Sequence, residues 1–342
     1  MELKQAIKDK LGRPMRDLRI SVTDRCNFRC PYCMPAEIYG EAFKFLPREQ
    51  VLSFEEITRL TRIFVKLGVT KIRLTGGEPT VRPNLHQLVG MLSKVPGAED
   101  IAMTTNGYLL EQQAKALKDA GLQRVTVSLD TLDDETFAKL NGRGFGKERV
   151  IRGIQKAEEV GLTPIKLNSV VMRGVNDSQI VDLAGHYKGT GIIVRFIEFM
   201  DVGNVNGWKN DQVVPAKEIV ERISSAYPLE PVDHNYVGEV AERWRYKDGS
   251  GEIGVIASVT QPFCADCTRA RISTDGFLYT CLFASEGKNL RDPLRAGASD
   301  EELAAIIRGT WGLRTDRYSQ LRAAMQPTEK PKHKIEMFVM GG

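Results

Sequence analysis

Three cysteines fall within eight residues, at Cys26, Cys30 and Cys33, directly after the apolar, strand-like run of residues 18–23. The spacing i, i+4, i+7 gathers three soft ligands in one short loop at the end of a strand. Three thiolates suit an iron–sulfur cluster that leaves one iron free for a further ligand. A structural zinc ion takes four protein ligands, and no fourth Cys or His stands in this loop. An open iron can chelate the amino and carboxyl groups of S-adenosylmethionine, and one-electron reduction then yields a 5′-deoxyadenosyl radical. In such chemistry the cofactor breaks the bond, while the protein binds, orients and excludes water.

A second triad, Cys264, Cys267 and Cys281, stands near the other end of the chain, beside Thr268-Arg269-Ala270-Arg271. Its spacing leaves two readings open: a second open cluster, or a zinc site completed by His333 of the tail or by His234. Two arginines beside such a site read as an element that positions an anion or a substrate. Arg19, Lys71, Arg73, Lys166 and Arg195 each interrupt an apolar strand. One long cation can snorkel out of a sheet, but five buried cations need partners. A polyanion lying inside a barrel, such as a nucleoside triphosphate, would satisfy several at once. Gly76-Gly77-Glu78-Pro79 closes the second strand, where glycines let backbone approach a ligand closely; alone, it reads as a turn. Asn106-Gly107 and Ser128-Leu129-Asp130 close the third and fourth strands on the same rim. By position, Ser128 reads as a ribose or carboxylate contact.

These residues must be held by regular elements. Strand-like runs cover residues 18–23, 69–74, 100–105, 124–129, 164–172 and 192–200, and helical patterns lie between them at 53–67, 85–95, 110–120, 149–160 and 176–187. Ser53 and Glu56 form a capping-box pattern. The alternation predicts parallel strands joined by right-handed crossovers. The strands read as apolar with little alternation, as when both faces are covered, with ligands at their carboxyl ends. A helix follows at 214–226. Strand-like runs at 238–246, 252–259, 270–274 and 277–282, the last two joined by Asp275-Gly276, predict a small antiparallel region. A further helix is expected at 300–311. The expected division is 1–226 for the α/β unit and 227–342 for a C-terminal region with the second triad and a Gly-Gly tail.

Composition excludes several classes. The 342 residues are 42% apolar and 27% charged, ordinary for a globular protein, and the net charge of +4 gives no case for nucleic-acid binding. The first residues lack the apolar core of a secretory signal, and no apolar run is long enough for a membrane span. Disulfide pairing within either cysteine triad would strand a thiol, so metal ligation in a reducing cytoplasm is expected.

At these motifs the chain resembles the radical S-adenosylmethionine enzymes, and among them the GTP 3′,8-cyclase family of molybdenum-cofactor biosynthesis. The resemblance runs through residues 18–30, 71–79, 195–200 and 263–271 and the final Gly341-Gly342, with Met340 where the family usually has Ile. It implies an incomplete (β/α)6 barrel capped by the C-terminal region. It implies two [4Fe–4S] clusters, held by Cys26, Cys30 and Cys33 and by Cys264, Cys267 and Cys281, with S-adenosylmethionine on the first and the guanine of GTP on the second. Tyr32, Gly77, Ser128 and Met200 match cofactor-contacting positions. Arg19, Arg73, Thr104, Lys166, Arg269, Ala270 and Arg271 match GTP-contacting ones, and Lys71 and Arg195 are further candidates. The implied reaction is cyclisation of GTP to (8S)-3′,8-cyclo-7,8-dihydro-GTP, a lyase reaction. It needs an electron donor and a downstream cyclic pyranopterin monophosphate synthase; a homodimer is left open. The tail is expected to reach back toward Arg19.

Two rivals are weighed against this. A peptide-modifying radical enzyme with auxiliary clusters would usually carry more C-terminal cysteines. An electron-transfer module would keep all four ligands of each cluster and would not need Gly76-Gly77-Glu78 on the next strand.

Overall fold

The computed structural model describes residues 6–236, 238–325 and 333–341. Local signals place its first helix. Ser53 accepts a hydrogen bond from Glu56 N and the Glu56 side chain accepts one from Ser53 N, so the capping box forms as the sequence predicts. Such a cap contributes about 1 kcal/mol. The helix then buries Ile57, Leu60, Ile63 and Phe64 against the sheet, and Gly68, at φ +107°, ends the turn that follows it.

The elements run β1 (Asp17–Ser21), α1 (Phe54–Lys66), β2 (Lys71–Thr75), α2 (Leu85–Leu92), β3 (Asp100–Thr105), α3 (Leu110–Asp119), β4 (Arg124–Ser128), α4 (Asp134–Leu140), α5 (Glu148–Glu159), β5 (Lys166–Val171), α6 (Ile180–Tyr187) and β6 (Ile193–Glu198). They continue with α7 (Ala216–Ala226), β7 (Leu229–Val232), β8 (Glu242–Tyr246), β9 (Glu252–Ile256), β10 (Arg269–Ile272), β11 (Phe277–Tyr279), β12 (Lys288–Asn289), α8 (Arg291–Arg295), α9 (Asp300–Gly312), α10 (Tyr318–Leu321) and α11 (Met337–Met340). Helix α4 has no counterpart in the sequence reading, and residues 238–241, expected to extend β8, form a loop instead.

One sheet carries all the strands, in the order β12-β11-β10-β1-β2-β3-β4-β5-β6-β9-β8-β7. Strands β1 to β6 are parallel neighbours, the six-stranded α/β unit expected. The antiparallel C-terminal region is present but split between the two edges. β10 pairs parallel with β1 and carries β11 and β12 outward, while β9 pairs parallel with β6 and carries β8 and β7. The eight central strands therefore share one direction.

The strands also alternate more than their sequences suggest. Leu18, Ile20, Ile72, Leu74, Met103, Val127, Leu167, Val194 and Phe196 pack into the core. Arg19, Arg73, Thr104, Asn168 and Arg195 turn the other way, into a cavity. The cations that seemed to interrupt apolar strands are the regular inward positions of a period-two pattern.

Candidate active site

The cavity, about 320 Å³, runs through the sheet's concave side. Its volume lies at the lower end of the range for small-molecule sites. Cys26, Cys30 and Cys33 line it, on the loop that leaves the carboxyl end of β1. Backbone bonds from Cys33 N and Met34 N to Cys30 O, at 3.0 and 2.8 Å, turn that loop. Arg29 braces it from within, its Nη1 donating to the Cys26 and Phe28 carbonyls at 2.7 Å and its Nε to Tyr39 O at 2.6 Å. Burial, and then Glu78, pushes the Cys26 thiol up to about 12. Protons hold these sulfurs until a metal displaces them.

The turn after β2 grips the same loop. Gly77 N donates to Thr23 O at 2.7 Å and Glu78 N to Arg25 O at 2.8 Å. A methyl at Gly77 would overlap the Arg25 carbonyl, and one at Gly76, which sits at φ +147°, the Thr23 carbonyl. Glu78 is 1% exposed. Its carboxylate accepts from Thr80 N and Oγ1, Thr105 Oγ1 and Asn106 N at 2.6–3.0 Å. It therefore ties the rims of β2 and β3 together. Asn106 continues the chain of contacts, donating to Asn27 Oδ1 at 2.8 Å.

Tyr32 lines the cavity, and its hydroxyl donates to Asp130 Oδ2 at 2.7 Å, while Val170 N donates to Asp130 Oδ1 at 2.8 Å. Burial pushes the Asp130 carboxyl up to about 6, against the two bonds that hold it down. Because its folded value lies above the ordinary one of about 3.9, its stabilising contribution is complete in acid and is lost as pH rises through about 6. Asp130→Asn does not titrate. Its melting temperature relative to the native chain, measured without cofactors, is expected to rise between pH 4 and pH 7, roughly the window from the ordinary to the folded value. A difference independent of pH would refute this.

Register then assembles the cations. Arg271 on β10 lies beside Arg19 on β1, which lies beside Arg73 on β2; one step lower, Arg269, Asp17 and Lys71 are aligned in the same way. Arg73 Nη1 donates to Thr104 and Thr126 hydroxyls at 3.4 and 3.3 Å, and Arg195 Nε to Asn168 Oδ1 at 3.0 Å. Arg19 Nε and Arg73 Nε are buried with no partner, and among the described residues Arg19, Arg73, Arg195, Arg269 and Arg271 make no carboxylate ion pair. Burial, and then Arg271, holds Arg19 well below the usual guanidinium value. Burial and then Arg269 bring Arg271 down to about 10, and burial and then Arg73 bring Arg195 to about 9. Each uncompensated buried ion costs several kcal/mol, so the row is built for an anion.

Ser128 and Met200 line the cavity near the carboxyl ends of β4 and β6, and Thr104 lines its wall. Lys166 shares the inward face of β5 with Asn168 and Val170 but sits nearer the strand's start, beyond the cavity lining. Burial and then Arg195 lower its ammonium to about 8. Lys71 is likewise outside the lining, its ammonium 3.1 Å from the centre of the Tyr236 ring. Ala270 turns its side chain into the core, between the two inward arginines.

The second triad also lines the cavity. Cys264 and Cys267 precede β10 and Cys281 follows β11, so all three stand at the amino ends of the parallel strands, opposite the first triad. Only one triad thus follows the carboxyl-end rule. Arg269 directs Nε and Nη2 at Cys267 Sγ, at 3.4 and 3.3 Å. Burial would raise the Cys267 thiol, but Arg269 and then Arg314 outweigh it and hold it at about 6. His234 and His333 are exposed and neither lines the cavity, so no imidazole completes a zinc site here. The tail returns through α11. Phe338 lines the cavity, and Gly341 O accepts from Arg271 Nη1 beside Arg19; Gly342 lies outside the described residues.

The donor chemistry of the lining fits two clusters and an adenosylated amino acid. Among the described residues each triad offers three thiols and no fourth Cys or His. Glycine backbone beside the first loop leaves room for a close contact, and guanidiniums that have no carboxylate partner among the described residues lie between the triads. The sequence reading missed Glu78, Asp130, Arg29 and Arg314 as organisers. Glu78 and Asp130 lay within quoted motifs, but Arg314 carried no local signal.

Comparison with known proteins agrees. Residues 20–186 match the family model described as Radical SAM superfamily, and residues 192–320 the one described as Molybdenum Cofactor Synthesis C. The GTP 3′,8-cyclase of Acidothermus cellulolyticus is 56% identical over 93% of this chain and 89% of its own length. That of Staphylococcus epidermidis is 48% identical over 99% of this chain and 100% of its own. Among solved structures, Streptococcus suis SuiB bound to S-adenosylmethionine superposes with a TM-score of 0.60 at 17% identity, covering 91% of this chain and 72% of that one; at that identity it speaks to the fold alone.

Proposed function

The chain belongs to the GTP 3′,8-cyclase family of radical S-adenosylmethionine enzymes, and we propose how its residues divide the work. It cyclises GTP to (8S)-3′,8-cyclo-7,8-dihydro-GTP in the first step of molybdenum-cofactor biosynthesis, with two [4Fe–4S] clusters and S-adenosylmethionine as cofactors. The observation that carries the assignment of roles is the row Arg271–Arg19–Arg73, without carboxylate partners among the described residues, between two thiol triads in one cavity.

Bound at the first cluster, S-adenosylmethionine would supply the radical chemistry by which the ribose 3′ hydrogen is removed and C3′ joined to guanine C8. Cys26, Cys30 and Cys33 would hold that cluster, and Tyr32, Gly77, Ser128 and Met200 would bind and orient the adenosylated amino acid. Cys264, Cys267 and Cys281 would hold the second cluster, which would anchor the guanine. Arg19, Arg73 and Arg271 neutralise the triphosphate, with Thr104 and Arg195 in the wall and Lys71 and Lys166 below. Arg269 serves both the substrate and Cys267. Residues 1–226 would thus carry the radical-forming site and most of the triphosphate contacts, and residues 227–342 the second cluster with Arg269 and Arg271. An external one-electron donor and a downstream cyclic pyranopterin monophosphate synthase complete the sequence, in the reducing cytoplasm.

Anaerobic reconstitution followed by incubation with S-adenosylmethionine, a reductant and GTP is the direct test. Cyclised guanosine product and GTP-dependent 5′-deoxyadenosine are expected; 5′-deoxyadenosine without GTP dependence and without product would overturn the substrate assignment. For the cation row, Arg73→Ala is expected to raise the calorimetric Kd for GTP about tenfold to hundredfold, as a hydrogen bond to a charged group implies. Unchanged affinity would remove Arg73 from the site.

A further inference from the structure

The second cysteine loop is also held through its backbone, by residues that bind neither substrate nor cofactor in the reading above. Asp9 and Arg13 lie in the short segment before β1, and Arg314 follows α9; the Asp9, Arg13 and Arg314 side chains are 0–2% exposed. Asp9 Oδ2 accepts from Arg13 Nε at 2.6 Å and from Arg314 Nη1 at 3.3 Å, and Asp9 Oδ1 accepts from Leu11 N and Arg13 N at 2.9 Å. From this one carboxylate the two guanidiniums reach the cysteines' own backbone. Arg13 Nη1 donates to Cys264 O at 2.7 Å, and Arg314 Nη1 to Cys267 O at 2.8 Å.

The third cysteine is tied to the same group. Arg13 Nη1 also donates to Asp316 O at 2.8 Å, and Asp316 Oδ2 accepts from Thr280 Oγ1, the residue before Cys281, at 2.6 Å. Trp311 closes the arrangement, its Nε1 donating to Arg13 O at 3.2 Å under a guanidinium of Arg314 stacked 4.5 Å from its ring.

A buried ion network is a poor device for stability alone, because desolvation offsets most of its attraction. This one converges on the backbone carbonyls of Cys264 and Cys267 and, through Asp316, on the Thr280 hydroxyl beside Cys281. We propose that Asp9, Arg13 and Arg314 form a clamp that sets the spacing of Cys264, Cys267 and Cys281 for the second cluster. The inference rests on the two-cluster reading. These are positioning residues, acting through the backbone of the ligands. A cubane needs three sulfurs at fixed separations, and Cys264 and Cys267 sit in a single 3-10 turn that has few bonds of its own. The clamp makes the N-terminal segment part of the second site.

The test compares Asp9→Asn, Arg314→Lys and Cys281→Ala after anaerobic reconstitution, reading iron and sulfide per chain, the electron paramagnetic resonance of the reduced clusters, and the melting of the cluster-free chain. Arg314→Lys, which keeps the charge, is expected to melt near the native chain, and Asp9→Asn, which leaves two buried guanidiniums without that carboxylate's charge, to melt lower; both are expected to fall from about eight irons per chain toward about four, with the second cluster's signal broadened or lost and S-adenosylmethionine cleavage kept. Should Asp9→Asn fail to fold, Thr280→Val removes a single tie and no ion pair, and a smaller loss of the second cluster is expected. Native iron and an unaltered signal in the clamp variants, beside a halved content in Cys281→Ala, would overturn the clamp alone. Native iron in Cys281→Ala would overturn the two-cluster reading beneath it.

Discussion

Cys281→Ala is expected to keep about half its iron and to cleave S-adenosylmethionine, yet to make no cyclised product. The separation follows from topology. Cys281 stands after β11, at the amino ends of the parallel strands, while Cys26, Cys30 and Cys33 stand at the carboxyl end of β1. Among the described residues, no bond in the first loop's bracing, through Arg29, Gly77 and Glu78, reaches the second triad. Loss of one of three ligands at a site with no fourth leaves that cluster without a stable hold. GTP would then keep its triphosphate contacts and lose the anchor for its base. Orientation accounts for many orders of magnitude in such a reaction, so cyclisation should fall by roughly 10³-fold or more. Iron content, 5′-deoxyadenosine and cyclised product are measured on one preparation. GTP turnover at the native rate would sink the division of labour between the triads.

The sequence made the chemistry more legible than the architecture. Both triads could be read because ligand spacing is local. So could the alternation of β1 to β6 with helices, since hydrophobic period and caps act over a few residues. The pairing of β10 with β1 could not. It joins residues about 250 apart, and local propensity says nothing about such a partner. Residues 228–290 therefore read as one antiparallel patch, when their strands extend both edges of the same sheet. That pairing sets Arg271 beside Arg19 and Arg73, turning separate cations into a row. The clamp was hidden for the same reason, since Asp9 and Arg314 are 305 residues apart. Glu78 stood within a quoted motif, yet four donors converge on it only once β2 and β3 are side by side.

Gly77→Ala should abolish S-adenosylmethionine cleavage although it adds a single methyl group. Gly77 matches a cofactor-contacting position, but its first neighbour in the fold is the protein itself. The added carbon would overlap the Arg25 carbonyl, one residue before Cys26. Backbone is the obstacle, so no side-chain rotation relieves it. The two turns are also tied by Gly77 N to Thr23 O at 2.7 Å and Glu78 N to Arg25 O at 2.8 Å. Either those bonds break or Cys26 moves with Arg25. A displacement of about 1 Å at a reacting site costs on the order of 10²-fold, and here it falls on a cluster ligand. The variant is expected to lose first-cluster iron, keep the second cluster and still bind GTP. Gly90→Ala is the matched control. That glycine lies within α2 with nothing near an added carbon, and replacing it should stabilise the chain by about 0.4–1 kcal/mol and leave turnover unchanged. If Gly77→Ala cleaved S-adenosylmethionine like Gly90→Ala, the close approach of the two turns would not be what places the first cluster.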